Sequence, residues 1–358
     1  MERRYGLIGC GMMGVEHIKN VAVTQGARIV AIADPVSTSL DWARGALADD
    51  TVLAVPDAAA MAVLGLDAVI VASPNHTHRK VLEPLFDAGL NILCEKPLAT
   101  TLEDARWIVE RAAQSSGVFW TAMEYRYMPP AAAFIEQIHS GRVGALKMLS
   151  IREHRFPFLP KVGDWNRFSA NTGGTMVEKC CHFFDLMRLI VRSEPVRVYC
   201  SGAMDVNHLD ERYDGQRPDI IDNGYTTVDF ANGVRAMLDL SMFADGAEDQ
   251  EEMTAVGSAA RLDCLIPSGQ LVFSPRVGFL QPKQVERSHV AVDPVALAAG
   301  SHHGSTYYEH QRFLAAINGD GPVEVTAEDG YRAVAIGVAA ELSAREKRVV
   351  TMDELGYQ

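Results

Sequence analysis

The chain has 358 residues, of which 48% are hydrophobic and 22% charged, and its formal net charge is −13. This negative charge repels a phosphate backbone, and no stretch interleaves Lys and Arg with aromatic residues as a nucleic-acid groove requires. No apolar run approaches the roughly 20 residues that span a bilayer, which argues against a membrane protein, and the length predicts two domains.

The first residues, "MERR", run directly into an apolar segment with no secretory h-region, so we expect a cytoplasmic protein without nucleic-acid or membrane partners. Six cysteines are present without a C-x-x-C pair, and two of them are adjacent. This arrangement favours buried free thiols in a reducing compartment over a disulfide framework.

Residues 1–122 alternate apolar runs with helical patterns, beginning with "RRYGLIG" and "ARIVAIAD" and continuing with "DAVIVASP" and "NILCEKP". Nearly continuous apolar strands separated by helices indicate a parallel sheet covered on both faces. We therefore predict an α/β, doubly wound Rossmann domain over residues 1–122.

Three glycines, Gly9, Gly11 and Gly14, follow the first strand and open the first helix. In a dinucleotide-binding loop these positions allow a tight turn, close approach of the backbone to the pyrophosphate, and close packing of helix on strand. The helix N-terminus would face the phosphates, so Met12 and Met13 are expected beside the cofactor as well.

Asp34 falls 20 residues after Gly14, at the end of the second strand. A carboxylate there accepts hydrogen bonds from the ribose hydroxyls and repels a 2′-phosphate, which favours NAD as cofactor over NADP. Arg44 is near enough in sequence to leave NADP open.

The pattern changes after Tyr125. A helical segment over residues 173–191 precedes alternating strands, two of which flank Asn232-Gly233, a two-residue hairpin signal. Residues 123–358 are therefore predicted to form a substrate-binding and oligomerisation α+β domain on a large, mainly antiparallel open sheet.

Polar residues follow two buried strands directly, in "SPNHTH" from Ser73 and in "EKP" from Glu95. Doubly wound sheets place ligands at these strand ends. With the glycine motif and a later histidine, the two turns make the chain resemble the Gfo/Idh/MocA family of nicotinamide-dependent oxidoreductases over nearly its whole length.

The resemblance implies that Lys96 lies beside the nicotinamide and the substrate hydroxyl, with Glu95 on the cofactor ribose and Pro97 after a cis bond. It also implies that Pro74, Asn75 and His78 border the cofactor, and the strand-end position adds Ser73. A lysine at the mouth of a buried strand, near a cationic nicotinamide, is expected to have a depressed pKa.

Glu178, His182 and Asp185 are spaced i, i+4 and i+7, which places them on one face of a helix. The family commonly carries an acidic residue four positions before a histidine here as a catalytic pair, although many sugar and inositol dehydrogenases have Asp where this chain has Glu178. We expect Lys96 and His182 to share acid–base duty, with Glu178 orienting its partner.

No metal site is predicted from the same segment. Cys180 and Cys181 diverge from Glu178 and His182 around a helix, so the four cannot form one tetrahedral site. Asp185 is as well explained by an ion pair with Arg188 as by a substrate contact.

Substrate contacts are expected from Arg126, which matches an arginine often seen in the family, and from the loop before the helical segment. Trp165 can cover an apolar sugar face while Asp164 and Asn166 contact hydroxyls. Such a mixture of a flat aromatic with donors and acceptors suits a polyol.

The sequence thus favours an NAD-dependent dehydrogenase of a cyclic polyol or sugar, of the inositol or monosaccharide class. An NAD-dependent glycoside hydrolase of the same superfamily and a non-catalytic NAD or sugar sensor are the alternatives. By analogy with the family, we expect a homodimer or homotetramer formed through the open sheet.

Overall fold

A computed structural model describes residues 2–357. The first half of the chain forms a six-stranded parallel sheet in the order β3-β2-β1-β4-β5-β6. Its strands are β1 Arg3–Ile8, β2 Ala27–Ala33, β3 Leu53–Ala54, β4 Ala68–Val71, β5 Asn91–Glu95 and β6 Phe119–Ala122. The helices between them are α1 Met12–Val23, α2 Ser37–Leu47, α3 Ala58–Ala62, α4 His78–Asp87 and α5 Leu102–Gln114.

Burial explains why this sheet is parallel. All four residues of β4 and all four of β6 are buried, as expected for strands with helices on both faces. The chain reverses its direction of winding between β1 and β4, and at this switch point the carboxyl ends of the strands leave a crevice.

The second half forms a nine-stranded sheet in the order β14-β13-β12-β11-β7-β10-β9-β8-β15. Its pairings are antiparallel except that between β7 and β10. The strands are β7 Leu146–His154, β8 Pro195–Ala203, β9 Asn223–Phe230, β10 Arg235–Ser241, β11 Glu251–Gly257, β12 Ala260–Ile266, β13 Gln270–Pro275, β14 Glu286–His289 and β15 Val350–Thr351. The predicted fold class, a Rossmann domain followed by an α+β domain on a mainly antiparallel sheet, is confirmed.

The helices of this half are α6 Pro129–His139, α7 Ser169–Thr172, α8 Thr175–Glu178, α9 Cys181–Val191, α10 Pro294–Ala299, α11 Ser305–Asn318 and α12 Ala327–Glu346. Helices α6, α9 and α12 pack against one face of the nine-stranded sheet, and alternate side chains of β9 and β10 are exposed on the other. No helix within residues 2–357 combines the length and the apolar character needed to cross a membrane.

The hairpin between β9 and β10 is present, but its loop has three residues rather than two. The N–H of Phe230 donates to the carbonyl of Val234, and the N–H of Gly233 donates to the carbonyl of Phe230. Gly233 has φ +83°, the left-handed conformation that closes a three-residue hairpin loop.

The prediction of one helix over residues 173–191 is wrong. Gly173 and Gly174 have φ of +81° and +88°, so no helix passes through them, and Lys179 and Cys180 separate α8 from α9. An added Cβ at Gly174 would lie 2.3 Å from the Glu341 carboxylate, so the turn requires a glycine there. Glu178 and His182 therefore lie on different helices.

Helix α11 returns from the second half to pack on the first. The ring of Phe313 lies 6.0 Å from that of Tyr5 and 6.2 Å from that of Trp120, and all three side chains are buried. The first half of the chain is thus completed by a helix that lies about two hundred residues further along the sequence.

Candidate active site

A cavity of about 630 Å³ lies at the carboxyl ends of the parallel strands. The glycine loop, Asp34 and the turn after β4 line one part of it, and Glu95, Lys96 and Glu178 line another. Of the residues expected around the cofactor, those that line this cavity are Gly9, Gly11, Met12, Met13, Asp34, Ser73, Pro74, Asn75, Glu95 and Lys96.

The glycine loop has the backbone geometry of a dinucleotide cradle. An added Cβ at Gly9 would lie 2.4 Å from the Ala72 carbonyl, and one at Gly14 would lie 2.1 Å from the carbonyl oxygen of Gly9. A Cβ at Gly11 would meet open space, on the side where a pyrophosphate approaches. Because Gly11 is the N-cap of α1, the first N–H groups of that helix are left to a ligand.

Asp34 is fixed by the backbone at the mouth of β2. One carboxylate oxygen accepts a hydrogen bond from the N–H of Cys10 at 2.7 Å, and the other accepts one from the N–H of Val36 at 2.8 Å. The remaining lone pairs are available to ribose hydroxyls. Arg44 is exposed, pairs with Asp41 at 3.8 Å and does not line the cavity.

His78 does not line the cavity, contrary to expectation. The ring is buried, with its nitrogens 3.1 Å and 3.3 Å from the carbonyl oxygens of Ser73 and Leu98. Burial lowers the pKa of His78, so the neutral ring donates a single N–H and lies between the turn after β4 and the turn after β5.

Glu95 and Lys96 end β5 at the crevice. One carboxylate oxygen of Glu95 accepts a hydrogen bond from the N–H of Lys96 at 3.0 Å. The other oxygen lies 3.0 Å from Nε2 of His17. The Nδ1 atom of His17 in turn lies 2.9 Å from Nε2 of His310. Lys96 donates from Nζ to the main-chain carbonyl of Glu178 at 3.1 Å, and the Lys96–Pro97 peptide is cis.

The protein groups alone raise the pKa of Lys96, whereas the expectation of a depressed pKa concerns the amine beside a cationic nicotinamide. Burial lowers the pKa of this amine, but the surrounding acidic groups, Cys181, Glu124, Glu95 and Glu178, raise it, and the net result lies above its ordinary value. Lys96 is therefore an ammonium group at neutral pH and a hydrogen-bond donor.

The pKa of His182 is shifted in the opposite direction from that of Lys96. Burial, followed by the Lys96 and Lys179 charges, lowers its pKa well below the ordinary value, so the imidazole is unprotonated at neutral pH. Its ring stacks on Tyr125 with 4.0 Å between centroids, and its Nε2 lies 3.6 Å from an oxygen of Glu124. The ring is 2% exposed and does not line the cavity directly.

Glu178 lines the cavity beside Lys161, whose Nζ lies 3.7 Å from its carboxylate. Burial raises the pKa of Glu178, while Lys161 and Lys96 act to lower it. Lys161 also lies over the ring of Trp165, at 4.7 Å from its centroid. Glu178, Lys161 and Trp165 thus form one wall.

Trp165 lines the cavity as expected, but Asp164 and Asn166 do not. Asn166 is buried and donates to the carbonyl of Leu159 at 3.1 Å, so it supports the loop. Gly163 and Asp164 have φ of 72° and 50°, and this left-handed pair turns the chain so that Trp165 faces the cavity.

Arg126 does not reach the cavity either. Its guanidinium forms a two-pronged pair with Asp185 and donates to the carbonyl of Glu324 at 2.8 Å. Both side chains are buried, so Arg126 and Asp185 join elements of the fold. Arg188, the partner expected for Asp185, pairs with Glu194 and Asp329 instead.

All six cysteines are free and buried. Among residues 2–357, no group of three or more His, Cys, Asp or Glu side chains is arranged to hold a metal ion. The adjacent Cys180 and Cys181 point into two different parts of the core.

Comparison with known proteins decides the family. Residues 3–123 match the model described as the oxidoreductase family, NAD-binding Rossmann fold, and residues 135–352 match that of the C-terminal alpha/beta domain of the same family. The chain belongs to the Gfo/Idh/MocA oxidoreductase family. It is accordingly an oxidoreductase with an NAD-binding domain.

Curated relatives in the Gfo/Idh/MocA family cover the full chain. An inositol 2-dehydrogenase of Rhizobium meliloti (strain 1021) is 27% identical over 356 residues, which is 98% of this chain and 100% of the relative. A 1,5-anhydro-D-fructose reductase of Ensifer adhaerens is also 27% identical, over 95% of this chain and 96% of the relative.

A solved structure shows the same fold. Levoglucosan dehydrogenase in complex with NADH and levoglucosan superposes with a TM-score of 0.83 at 20% identity, over 98% of this chain and 100% of that one. At this identity the likeness concerns the fold alone.

Sequence reasoning missed the residues behind Lys96. Glu124 and Tyr125 begin a single 3-10 turn, Glu124–Tyr127, that follows β6, and both face His182. Their position directly after a buried strand is the signal that identified Ser73 and Glu95, and it was available for Glu124 as well.

Proposed function

We propose that this oxidoreductase oxidises a secondary hydroxyl of a cyclic polyol or sugar with NAD. The observation that carries the proposal is the proximity of two groups of opposite acid–base character, Lys96 at the cavity and the buried His182 behind it. Lys96 is a charged donor held by the Glu178 carbonyl, and its charge is near enough to lower the pKa of the neutral base His182. An alcohol oxidation needs both kinds of group.

The cavity residues fit NAD. The open side of Gly11 and the N-terminus of α1 suit a pyrophosphate, and Asp34 suits the adenosine ribose. When bound, the nicotinamide accepts the hydride that leaves the substrate carbon.

The protein groups then handle the proton and the oxygen. The Lys96 ammonium donates a hydrogen bond to the substrate oxygen and stabilises its developing negative charge. His182 accepts the hydroxyl proton, which its lowered pKa leaves it free to do. Glu178 supports this arrangement through its main-chain carbonyl and holds Lys161 with its carboxylate. Two electrons leave with the hydride, one proton goes to His182, and the product is a ketone.

Trp165 supports a ring-shaped substrate. Its indole lines the cavity beside Lys161 and lies edge-on to His76, with 6.1 Å between centroids. An aromatic face covers the C–H face of a saturated ring, while charged neighbours contact its hydroxyls. The curated relatives named above act on inositol and on an anhydrosugar according to their names.

The test is a panel of inositols, aldoses and anhydrosugars with NAD or NADP, followed by NADH absorbance. We expect NADH formation with at least one cyclic polyol or sugar. Release of free sugar from a glycoside without NADH accumulation would instead identify a glycosidase. Tight NADH binding without turnover of any compound would identify a sensor.

We also propose that copies of the chain associate through the open face of the nine-stranded sheet. Met148, Tyr199, Tyr225 and Met237 lie on neighbouring strands of that face and are 36–60% exposed. An apolar group of this kind on a sheet face is typical of an interface between subunits.

A further inference from the structure

We infer that Glu124 is a positioning residue for His182: its carboxylate lies beside Nε2 of the imidazole, orients the ring and stabilises the positive charge formed when His182 accepts the substrate proton. The inference rests on the function proposed above. It adds to Lys96 and His182 a buried acid that acts through the histidine.

The two side chains are adjacent and enclosed. Glu124 follows β6 directly and is 1% exposed, and His182 on α9 is 2% exposed. The distance from Oε1 of Glu124 to Nε2 of His182 is 3.6 Å. This exceeds a hydrogen bond, but catalytic contacts often tighten only when substrate is bound.

Both groups have free hydrogen-bonding capacity. In the part of the chain that the structure describes, neither Glu124 oxygen has a hydrogen-bond partner, and Nδ1 of His182 has none. Since buried polar atoms are almost always satisfied, the Glu124 carboxylate is suited to a partner that arrives with the reaction. That partner is the N–H formed on Nε2, the nitrogen that faces Glu124, when the imidazole takes the substrate proton.

The plane of the imidazole is fixed from one side. The Tyr125 ring stacks on it with 9° between the planes, and the Tyr125 hydroxyl accepts a hydrogen bond from Lys179 at 2.5 Å. Lys179 in turn pairs with Glu153 at 2.9 Å. With its plane held in this way, the imidazole keeps Nε2 directed toward Glu124.

The charges around the pair come from several elements. Lys96 and Glu95 face it from the end of β5, Lys179 from the junction of α8 and α9, and Arg155 from beyond β7. In the C-terminal half, the charge of His302 lowers the pKa of both Glu124 and His182. The charge of Glu124 raises the pKa of Glu309 on α11.

Burial, with the Glu95 charge, raises the pKa of Glu124 to about 7. The ionised fraction of this carboxyl therefore rises through neutral pH, and its support of the His182 imidazolium rises with it. Oxidation should consequently gain rate as the pH increases through about 7.

The decisive variant is Glu124→Gln, which keeps the shape and removes the charge. We expect unchanged NADH affinity, a fall in kcat of about tenfold to a hundredfold, and loss of the rise in rate near pH 7. Glu124→Asp should restore part of that rise. Glu341→Gln is the matched control: it neutralises another buried acid whose pKa is raised to about 7, outside the group of charges around His182, and should leave kcat and the pH profile unchanged.

Nitrogen-15 NMR of the holoenzyme gives a second readout that does not depend on activity. With His182 assigned from the spectrum of His182→Gln, protonation of the imidazole should require a lower pH in Glu124→Gln than in the wild type, because the carboxylate that stabilises the imidazolium is gone. An unchanged titration of His182, or a Glu124→Gln enzyme with wild-type kcat and pH profile, would overturn the inference and leave the dehydrogenase assignment standing. A wild-type enzyme that turns over no polyol or sugar would refute the proposed function itself.

Discussion

The ammonium group of Lys96 donates a hydrogen bond to the main-chain carbonyl of Glu178, 82 positions further along the chain, at 3.1 Å. This contact joins the end of β5 in the Rossmann half to the short helix α8 in the other half. Lys96 is thus held by the backbone of the second half of the chain, at the boundary between the two halves.

Replacing Lys96 by Met should abolish turnover and spare cofactor binding. The variant keeps the length of the side chain but removes the donor to the substrate oxygen, so kcat should fall about a thousandfold or more. Stopped-flow turnover and NADH fluorescence titration separate the two effects. Lys80→Met, at another lysine that lines the cavity, is the control and should keep activity. Substantial turnover in Lys96→Met would remove Lys96 from the chemistry.

Substitution by alanine should lower stability at one glycine of the nucleotide loop and NADH affinity at another. In Gly14→Ala the new Cβ would lie 2.1 Å from the Gly9 carbonyl oxygen, which should cost about 1–3 kcal/mol of folding free energy or more. In Gly11→Ala the Cβ meets open space, so the melting temperature should hold while NADH affinity falls by about tenfold or more. Thermal melts and NADH titrations measure both quantities, and equal behaviour of the two variants would contradict the geometry.

Asp34→Ala should shift cofactor preference toward NADP. The change removes the acceptor for ribose hydroxyls and the charge that repels a 2′-phosphate, so the ratio of the two Kd values should move by about tenfold or more. Asp57→Ala is a matched control, because Asp57 also lines the cavity and also accepts a backbone N–H, that of Ala60 at 2.9 Å. An unchanged NAD to NADP ratio in Asp34→Ala would count against the ribose contact.

The unfolding free energy should fall between about pH 5 and pH 8 in part because of Glu251. Burial, with the Glu153 charge, raises the pKa of Glu251 to about 8 in the folded protein, so the folded state binds more protons than the unfolded state across this range. Stability therefore falls as the pH rises. Glu251→Gln should flatten the dependence, as measured by thermal melts across this pH range. A parallel curve for the variant would show that Glu251 does not contribute.

The open sheet should mediate association. We expect light scattering with size-exclusion chromatography to give a multiple of the chain mass, and the double change of Met148→Lys and Tyr225→Asp to reduce that mass. The control variant Val63→Lys, at an exposed apolar residue of the first domain, should leave the measured mass unchanged. A wild-type monomer at micromolar concentration would refute the proposal.

The Rossmann half could be predicted from sequence because its signals are local. Strand burial, the Gly9, Gly11 and Gly14 spacing, and Asp34 at the next strand end each follow from a short stretch of chain. The polar turn residues after β4 and β5 were found in the same way, except that His78 supports the turn rather than reaching the cavity.

The second half was predicted less well wherever contacts between residues distant in sequence determine the local structure. A helix over residues 173–191 fits the periodicity, but the Glu341 carboxylate crowds Gly174 and the chain turns there. The sequence predicts that the Arg126 guanidinium contacts substrate, but in the structure Asp185 and the carbonyl of Glu324 bind it. The pKa of Lys96 rises in part because Glu124 and Glu178, which are distant in sequence, lie close to it. None of these partners is near in sequence.

Helix α11 supplies Phe313 to the same buried cluster as Tyr5 and Trp120. A fragment that ends at residue 122 would leave the indole and the phenol uncovered in water, so it should aggregate rather than fold as an independent module. Anyone who wishes to graft the nucleotide-binding half of this protein onto another scaffold must transplant residues 305–318 with it.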